Sequence, residues 1–406
     1  PAPNHGYLPS CWRAGEIIEA RCQADGESDG ECDERAVVAR QNFIDAYRNS
    51  GGNTVPGAEQ EDWQDAGQCR DCFQPSFNYR PKSSAQYILA LGRQGRTDDS
   101  GRFRFGMIAA SDNHSARPGT GYKAVARSEF TEARFGKMID TPLGYTPKRE
   151  PVAMSRKATD EFSTAIFSIF ETERGSSFFL NGGLAGVHSN GRSREEIWDA
   201  MQRKEVYGTS GPRILLWFDL LNGPGGRPKP MGSSVELGEQ PIFQVRAVGS
   251  FEQKPGCPAD AQGAMSEARL DRLCQGECYN PTDERRPITR IEVVRIQPQM
   301  TDNEDIVGLV DDPWKVIPCP ADGGGCRVAF TDPEYEKLGR DTLYYVRAIE
   351  APSLAVGADP LGCTYDENGR CIRISPCNDK PNSDDCLAET EQRAWSSPIF
   401  VDRPRL

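Results

Sequence analysis

Three segments of the chain place apolar residues at the spacing of an α-helix: residues 34–49, 83–92 and 193–205. The first is followed by Ser-Gly-Gly and the second ends in glycine, residues that commonly end helices. In the third, Ser193 and Glu196 have the spacing of a capping box, in which each side chain accepts a hydrogen bond from the other residue's backbone N–H. The sequence therefore predicts three helices.

Other segments have the patterns of β-strands. Residues 102–111 alternate through Phe103, Phe105 and Met107 and then become wholly apolar, which predicts a strand that enters a buried sheet. From residue 214 onward, short runs of β-branched and aromatic residues are separated by loops rich in Pro, Gly and Cys. This pattern predicts a β-rich, sandwich-like domain in the second half of the chain.

Length and charge limit the possible functions. The chain has 406 residues, which predicts two or three domains, and a formal net charge of −12. Because its positive charges form no basic tract, we expect no nucleic acid partner. No apolar stretch reaches the roughly 18 to 20 residues of a membrane span. The chain starts without Met or a signal-peptide core, which we interpret as a processed chain or a fragment.

The fourteen cysteines form an even set, and none lies between Cys72 and Cys257. Many lie in polar loops, such as residues 319–326 and 371–377, where disulfides are more typical than buried thiols. The cysteines therefore predict disulfide bonds and a periplasmic or secreted protein. The alternative is a zinc site at Cys69 and Cys72, which lacks a second close pair or a local histidine.

One of the three histidines suggests a metal site. Asp112 and His114 are separated by one residue at the end of the predicted strand, so in extended backbone both side chains point to the same side. A carboxylate oxygen and an imidazole nitrogen suit zinc, manganese or iron, and ligands gather at strand ends in parallel α/β folds. The alternative is a polar turn or a surface hydrogen bond.

Four segments resemble a known family. "FGMIAASDNHSARPG" at residues 105–119 is similar to a motif of the large bacterial family called domain of unknown function 3604, a relative of the polymerase and histidinol phosphatase (PHP) phosphoesterases. Residues 181–214, which contain "EEIWDAMQRKEVYGTSG", resemble another segment of that family. Residues 330–353 and 389–401 resemble its late strand segment and its terminal segment.

The resemblance implies both a fold and a chemistry. Asp112 and His114 correspond to the last metal ligands of a PHP-type site, and Arg117 falls in the adjacent loop. Relatives have a distorted β/α barrel with three divalent ions at one rim, which implies metal-dependent hydrolysis of a phosphoester. The predicted fold is accordingly α/β, with the C-terminal part of a PHP-like barrel at residues 1–213 and a β-rich, disulfide-stapled domain at residues 214–406.

The sequence also departs from the family pattern. The H-x-H and D-H ligand pairs that open the family's barrel are absent, so the chain resembles the C-terminal portion of the parent domain. The expected partner is an N-terminal fragment of the same precursor that carries the missing ligands. His5 is a weaker candidate for one of them, and Glu16 and Glu19 are candidates for the rim of the site or for an exposed acidic surface. For His188, a polar role at a strand end is expected.

Two functions follow from these observations. The first is a metal-dependent, phosphoesterase-like hydrolase in which Asp112 and His114 complete a site begun elsewhere. The second is a non-catalytic secreted binding or structural protein that has inherited a PHP scaffold, because a fold does not by itself confer activity.

Overall fold

The structure is a computed structural model of the whole chain, and its helices and strands occur in two compact units that interleave along the sequence. One unit comprises Pro1–Ser84, Arg127–Leu180 and Ala355–Ala388, and the other comprises Ala85–Ala126, Asn181–Leu354 and Glu389–Leu406. We call them the first and the second unit. The structure describes residues 16, 19–20, 22–24, 26–37, 85–92, 102–110, 183–301, 303–320, 325–356, 364–365, 367, 371–373 and 387–404.

The second unit contains five α-helices among its described residues. They are α1 (Ala85–Ala90), α2 (Arg194–Gln202), α3 (Ala259–Ala264), α4 (Glu267–Cys274) and α5 (Tyr335–Leu338).

Helices α1 and α2 confirm two of the three predicted helices. At the start of α2, Ser193 Oγ accepts from the backbone N of Glu196 at 3.1 Å, and Glu196 Oε2 accepts from the backbone N of Ser193 at 3.1 Å, so the capping box is complete. The apolar residues Ile197 and Trp198 of this helix stay exposed. Of the predicted helix at 34–49 the structure describes only residues 34–37, which are helical.

Eighteen strands are described in the chain. They are β1 (Leu184–Val187), β2 (Val206–Thr209), β3 (Leu215–Leu220), β4 (Lys229–Pro230), β5 (Ser234–Glu236), β6 (Ile242–Val248), β7 (Phe251–Gln253), β8 (Pro281–Arg285), β9 (Ile288–Ile296), β10 (Val310–Pro318), β11 (Cys326–Thr331), β12 (Thr342–Glu350), β13 (Ser353–Val356), β14 (Thr364–Tyr365), β15 (Cys371–Arg373), β16 (Leu387–Thr390), β17 (Arg393–Ser396) and β18 (Ile399–Asp402).

The largest sheet has eight strands and is centred on β12. One edge of β12 pairs along its length with β9, which also pairs with β10, and the other edge pairs with β17 and β18. Strand β17 continues to β2 and β1, and β18 pairs in parallel with β5. A second sheet has the order β11-β6-β3-β4, and three short pairs join β7 to β8, β13 to β16 and β14 to β15.

The two larger sheets pack face to face around one core. Alternate residues of β3 and β6 are buried, whereas Leu215 and Ile242, the first residues of these strands, point outward and are exposed. The rings of Phe243 on β6 and Tyr344 on β12 lie 4.8 Å apart, centroid to centroid, and Phe243 also stacks on Phe218 at 5.3 Å. The Phe243–Tyr344 contact crosses the gap between the two sheets, and the Phe243–Phe218 contact lies within the second sheet, so the sheets form the two layers of a sandwich.

The opposite face of the large sheet is covered as well. Leu343 and Tyr345 of β12, which alternate with Tyr344, pack there with Leu89 of α1 and with Phe105. Strand β12 is therefore buried on both faces, which explains its nearly continuous apolar sequence.

The segment that carries Phe105 was predicted to be a strand, and that prediction is wrong. Residues 102–110 form no strand ladder; they cross the covered face of the large sheet, and the backbone N of Met107 donates to Ser397 Oγ at 2.9 Å. The alternation of apolar residues reflects burial of Phe105 and Met107 against the sheet face, while Phe103 is exposed. The described neighbours β12, β17 and β18 already use their edges to pair with other strands.

In the first unit, the described residues are few. Residues 22–24 and 29–37 are helical, and the disulfide Cys22–Cys32 joins them. The strands β14 and β15 form an antiparallel pair.

Among the described residues, three disulfides confirm the predicted bridges. Besides Cys22–Cys32, they are Cys257–Cys278 and Cys319–Cys326, the last within the loop singled out from the sequence. Cys69 and Cys72, the alternative zinc pair, lie outside the described residues. In the part of the chain that is described, no helix has the length and apolar character needed to cross a bilayer.

The structure confirms the predicted mixed helix and strand composition and the β-rich character. The predicted division at residue 213 stays a prediction, although the large sheet takes β1 and β2 from one side of it and the remaining strands from the other. The PHP-like barrel also stays a prediction. Of the strand pairs whose register is described, only β5 and β18 are parallel.

Candidate functional site

The predicted metal ligands and most of their neighbours lie outside the described residues: Asp112, His114, Arg117 and His5. Glu16 and Glu19 are described, and both are in helical backbone, the first exposed and the second half-buried. Their predicted role at the rim stays a prediction.

The structure does show where the segment that leads to Asp112 runs. A Cβ atom on Gly208 of β2 would lie 2.8 Å from the backbone N of Ala109, and one on Gly183 would lie 3.0 Å from the carbonyl oxygen of Ala110. Residues 108–110 therefore lie directly on the backbone of β2 and beside the start of β1. Only glycine at these two positions permits so close an approach.

Charged side chains occupy the neighbouring part of the same sheet face. In the antiparallel pairs Glu292 lies opposite Arg347, and Ile349, two residues on, lies opposite Arg393. Opposed residues project to one side of a sheet, so these side chains share the face on which Ala109 lies. We call this group the charged end. Its residues are Arg290, Glu292, Asp312, Arg347, Glu391 and Arg393.

Two arginines of the charged end are paired with carboxylates. Arg290 donates from Nη1 and Nη2 to Glu391 at 2.5 and 2.6 Å and from Nε to Glu292 at 2.8 Å. Arg347 forms an ion pair with the other oxygen of Glu292 at 2.8 Å and binds Asp312 with both Nη atoms. These bonds fix both guanidinium groups in place.

The network extends to helix α1. Gln86 Nε2 donates to Asp312 Oδ2 at 2.5 Å and to the hydroxyl oxygen of Tyr345 at 2.7 Å. Burial raises the pKa of Tyr345, so its hydroxyl stays protonated in the physiological range. The network therefore ties α1 to β10 and β12 through neutral and charged hydrogen bonds.

Arg393 differs from the other two arginines. Among the residues that the structure describes, none accepts a hydrogen bond from the half-buried guanidinium group of Arg393 or forms an ion pair with it. The backbone of Arg393 is bonded to Ser210: its N donates to Ser210 Oγ at 2.9 Å, and its carbonyl oxygen accepts from the backbone N of Ser210 at 2.9 Å. Burial and then the positive charge of Arg347 lower the pKa of Arg393, and the attraction of Glu292 and Glu391 offsets this only in part. Both carboxylates are held by other arginines. Arg393 is therefore a partly desolvated cation that an anion would stabilise.

His188 has the expected structural role. Its Nε2 lies 2.8 Å from the carbonyl oxygen of Leu216, and its ring packs 5.5 Å from Tyr207 and 5.7 Å from Trp217, centroid to centroid. His188 directly follows β1, and one of its ring nitrogens is thus hydrogen-bonded to a backbone carbonyl. These contacts explain the histidine without a metal.

A comparison with protein-family models decides the relationship. Residues 88–219 match a family described as "Protein of unknown function (DUF3604)". The segment at residues 88–219 belongs to this family. The match contains Asp112, His114, α2 and the strands β1 and β2, and its description assigns no activity. No curated protein and no solved structure matches the chain.

The sequence pattern identified the segment that contains Asp112 and His114 but not Arg393. The arginine lies within "ETEQRAWSSPIFV", a segment singled out only for its resemblance to the family's terminal residues. The sequence did contain a signal for this arginine. Arg393 and Arg347 each lie on a strand whose other residues are mostly apolar, on a sheet face that is otherwise covered. Arginine on a short strand is usually solvated, however, so the pattern alone did not identify it.

Proposed function

We propose that this protein is a metal-dependent, phosphoesterase-like hydrolase. Asp112 and His114 would bind the divalent ion, and the guanidinium of Arg393 would bind the anionic group of the substrate. The observation that carries the proposal is the unneutralised, half-buried Arg393 on the sheet face where the segment leading to Asp112 lies. The relation to the PHP phosphoesterases is part of the proposal.

The chemistry of the two predicted ligands fits such an ion. A carboxylate and an imidazole suit zinc, manganese or iron, and a divalent ion of this kind lowers the pKa of a bound water and polarises a phosphoryl oxygen. Two protein ligands are fewer than the three that catalytic zinc sites use. We propose that a further segment of the precursor, with the family's H-x-H pair, supplies the rest and closes the PHP-like barrel, and that His5, Glu16 and Glu19 are candidates for its rim.

Arg393 would act by electrostatic positioning. Its guanidinium presents planar N–H donors that match two oxygens of a phosphate or carboxylate, and Arg347, fixed by Glu292 and Asp312, restricts the space beside it. The Arg393 guanidinium is already partly desolvated and has no counter-charge of its own among the described residues. A bound anion therefore neutralises a buried charge as well as forming new hydrogen bonds. The site therefore favours a substrate with a compact anionic group.

The first experiment measures metal content. Native protein, prepared without added metal, is analysed for zinc, manganese and iron and compared with Asp112→Ala and with Asp283→Ala, a change at an exposed strand residue. The proposal predicts a stoichiometric metal that only Asp112→Ala loses. A native protein without metal, and without gain of activity on reconstitution, favours the non-catalytic binding protein instead.

The second experiment tests Arg393 with p-nitrophenyl phosphate and bis(p-nitrophenyl) phosphate as probes. Loss of one charged hydrogen bond costs about 1.5 to 3 kcal/mol, so Arg393→Met is expected to raise KM roughly 10-fold to 100-fold. Arg327→Met, at an exposed position of β11, is the matched control and should leave KM unchanged. Equal KM values for wild type and Arg393→Met, with hydrolysis intact, would remove Arg393 from the site.

We also propose that the protein works in the periplasm or outside the cell. The three disulfides support this location, because such bonds persist in oxidising compartments. Intact-mass analysis and N-terminal sequencing of protein isolated from its natural source test both the location and the proposed precursor. A second co-purifying chain with an H-x-H sequence is expected, and a single chain that starts at Pro1 and carries full activity contradicts the proposed fragment.

A further inference from the structure

Three sulfur atoms meet in the excursion of the chain between β7 and β8. Cys257 precedes α3, Cys274 is the last residue of α4, and Cys278 precedes β8. Cys257 and Cys278 are bridged, and Cys274 is a free thiol. Its Sγ atom lies 3.2 Å from Cys278 Sγ and 3.7 Å from Cys257 Sγ. Among the described residues this is the only place where three metal-type or thiol ligands converge.

The helix end positions Cys274 toward the bridge. Its thiol donates to the carbonyl oxygen of Leu270 at 3.1 Å, one turn earlier in α4, and Gln275 then reverses the chain with φ 48°. This reversal returns the backbone so that Cys278 lies beside the end of the helix. Cys274 and Cys278 are both half-buried, so the thiol is accessible to solvent while it contacts the bridge.

We propose that Cys257, Cys274 and Cys278 form a thiol–disulfide exchange site. The thiolate of Cys274 attacks one sulfur of the Cys257–Cys278 bond and forms a new S–S bond with it, and the other cysteine leaves as the thiolate. Attack on Cys257 produces the Cys257–Cys274 bridge and releases Cys278; attack on Cys278 produces Cys274–Cys278 and releases Cys257. One thiol is lost and one is gained, so no oxidant or reductant is needed.

The geometry supports transfer to either sulfur. Cys274 Sγ lies beside the S–S bond and within 3.7 Å of both ends, so both sulfurs are within reach, and the in-line approach that exchange needs requires rotation of a side chain. A nucleophile held this close reacts with an effective concentration far above that of a thiol in solution. An exposed disulfide of two cysteines without a third sulfur nearby lacks this route.

The surrounding fold tolerates the move. Segment 279–285 stays attached when Cys278 is released, because β8 pairs with β7 and the backbone N of Lys254 donates to the carbonyl oxygen of Asn280 at 2.7 Å. The guanidinium of Arg213 also stacks on the Tyr279 ring at 3.8 Å. Exchange therefore changes which two of three segments are bridged: the one before α3, the end of α4 and the one before β8.

The test follows the position of the free thiol in the full chain. Protein purified without reductant is held at about pH 8.5, where a cysteine with the reference pKa is half thiolate. It is then quenched with acid, alkylated with N-ethylmaleimide and digested without reduction for peptide mass spectrometry. The proposal predicts alkylation at Cys274 and also at Cys278 or Cys257, together with the matching alternative bridge. Alkylation confined to Cys274, or a bridge from Cys274 to a cysteine outside the three, overturns it.

Single variants provide the controls. Cys278→Ser and Cys257→Ser are each incubated with oxidised glutathione, which supplies the oxidant that two thiols need to form a bridge. The proposal then predicts a Cys257–Cys274 bridge in Cys278→Ser and a Cys274–Cys278 bridge in Cys257→Ser, so neither variant gains a free thiol within the excursion. In Cys326→Ser the thiol of Cys319 should remain free and become alkylated, because no third described cysteine lies within reach of it. Free Cys257 and Cys274 in a folded Cys278→Ser protein, as judged by circular dichroism, would contradict the exchange site.

Discussion

Replacement of Gly208 by alanine tests the path of the segment that leads to the predicted metal ligands. The new Cβ would lie 2.8 Å from the backbone N of Ala109, 2.9 Å from its Cβ and 3.1 Å from the carbonyl carbon of Ile108. Two of these three atoms belong to the backbone, which cannot rotate away as a flexible side chain would. The segment must therefore move off β2.

The expected cost follows from these contacts. Overpacking costs about 1 to 3 kcal/mol, and the smaller conformational entropy of alanine in the unfolded chain returns about 0.4 to 1 kcal/mol. We expect Gly208→Ala to lower the free energy of unfolding by about 0.5 to 2 kcal/mol in urea denaturation. If the segment positions Asp112 and His114, the affinity for the bound metal should fall as well.

Gly238→Ala is the matched control. Its Cβ would meet only Pro404, with Cγ at 3.4 Å and Cδ at 4.0 Å, which are ordinary contacts. This variant should be as stable as wild type or slightly more stable. Equal free energies of unfolding for the two variants would refute the close passage of residues 108–110 over β2.

Three further predictions concern stability in urea denaturation. Asp332→Ala should lower the free energy of unfolding by about 3 kcal/mol, because the buried Tyr344 hydroxyl and one N–H of Arg295 lose their acceptor. A loss no larger than that of an exposed surface substitution would contradict this. Ser193→Ala should cost about 1 kcal/mol through loss of the capping box, whereas Ser266→Ala, at an N-cap without a side-chain bond, should be neutral. Burial raises the pKa of Glu350 above its value in the unfolded chain, so the folded chain binds the proton more tightly. The protonated carboxyl therefore contributes stability below the unfolded pKa, and this contribution is lost as the pH rises through the folded pKa. Glu350→Gln should therefore gain stability relative to wild type as the pH rises above about 4.3, the ordinary pKa of a glutamate, and a stability difference that does not change with pH would argue against the shift.

The sequence by itself determined the local structure of this protein. The Ser193 and Glu196 pair lies within one helical turn, and the cysteines at 319 and 326 close a short loop, so both could be predicted without knowledge of the fold. The strand β12 could be predicted from its nearly continuous apolar run, which reflects burial on both faces. The segment containing Asp112 and His114 was recognised because its residue pattern resembles that of its family.

Only the tertiary structure decided which distant segments meet. Residues 102–110 have the alternation of a strand, but an alternating pattern records burial of one side and not hydrogen bonding to a neighbour, so it cannot distinguish a paired strand from a segment laid across a sheet. Arg393 became a candidate because strand register brings it beside Arg347 and leaves it without a carboxylate among the described residues. The three sulfurs likewise meet through a helix end and a chain reversal. The first two depend on contacts between residues far apart in the chain and the third on a chain reversal, and local periodicity encodes none of them.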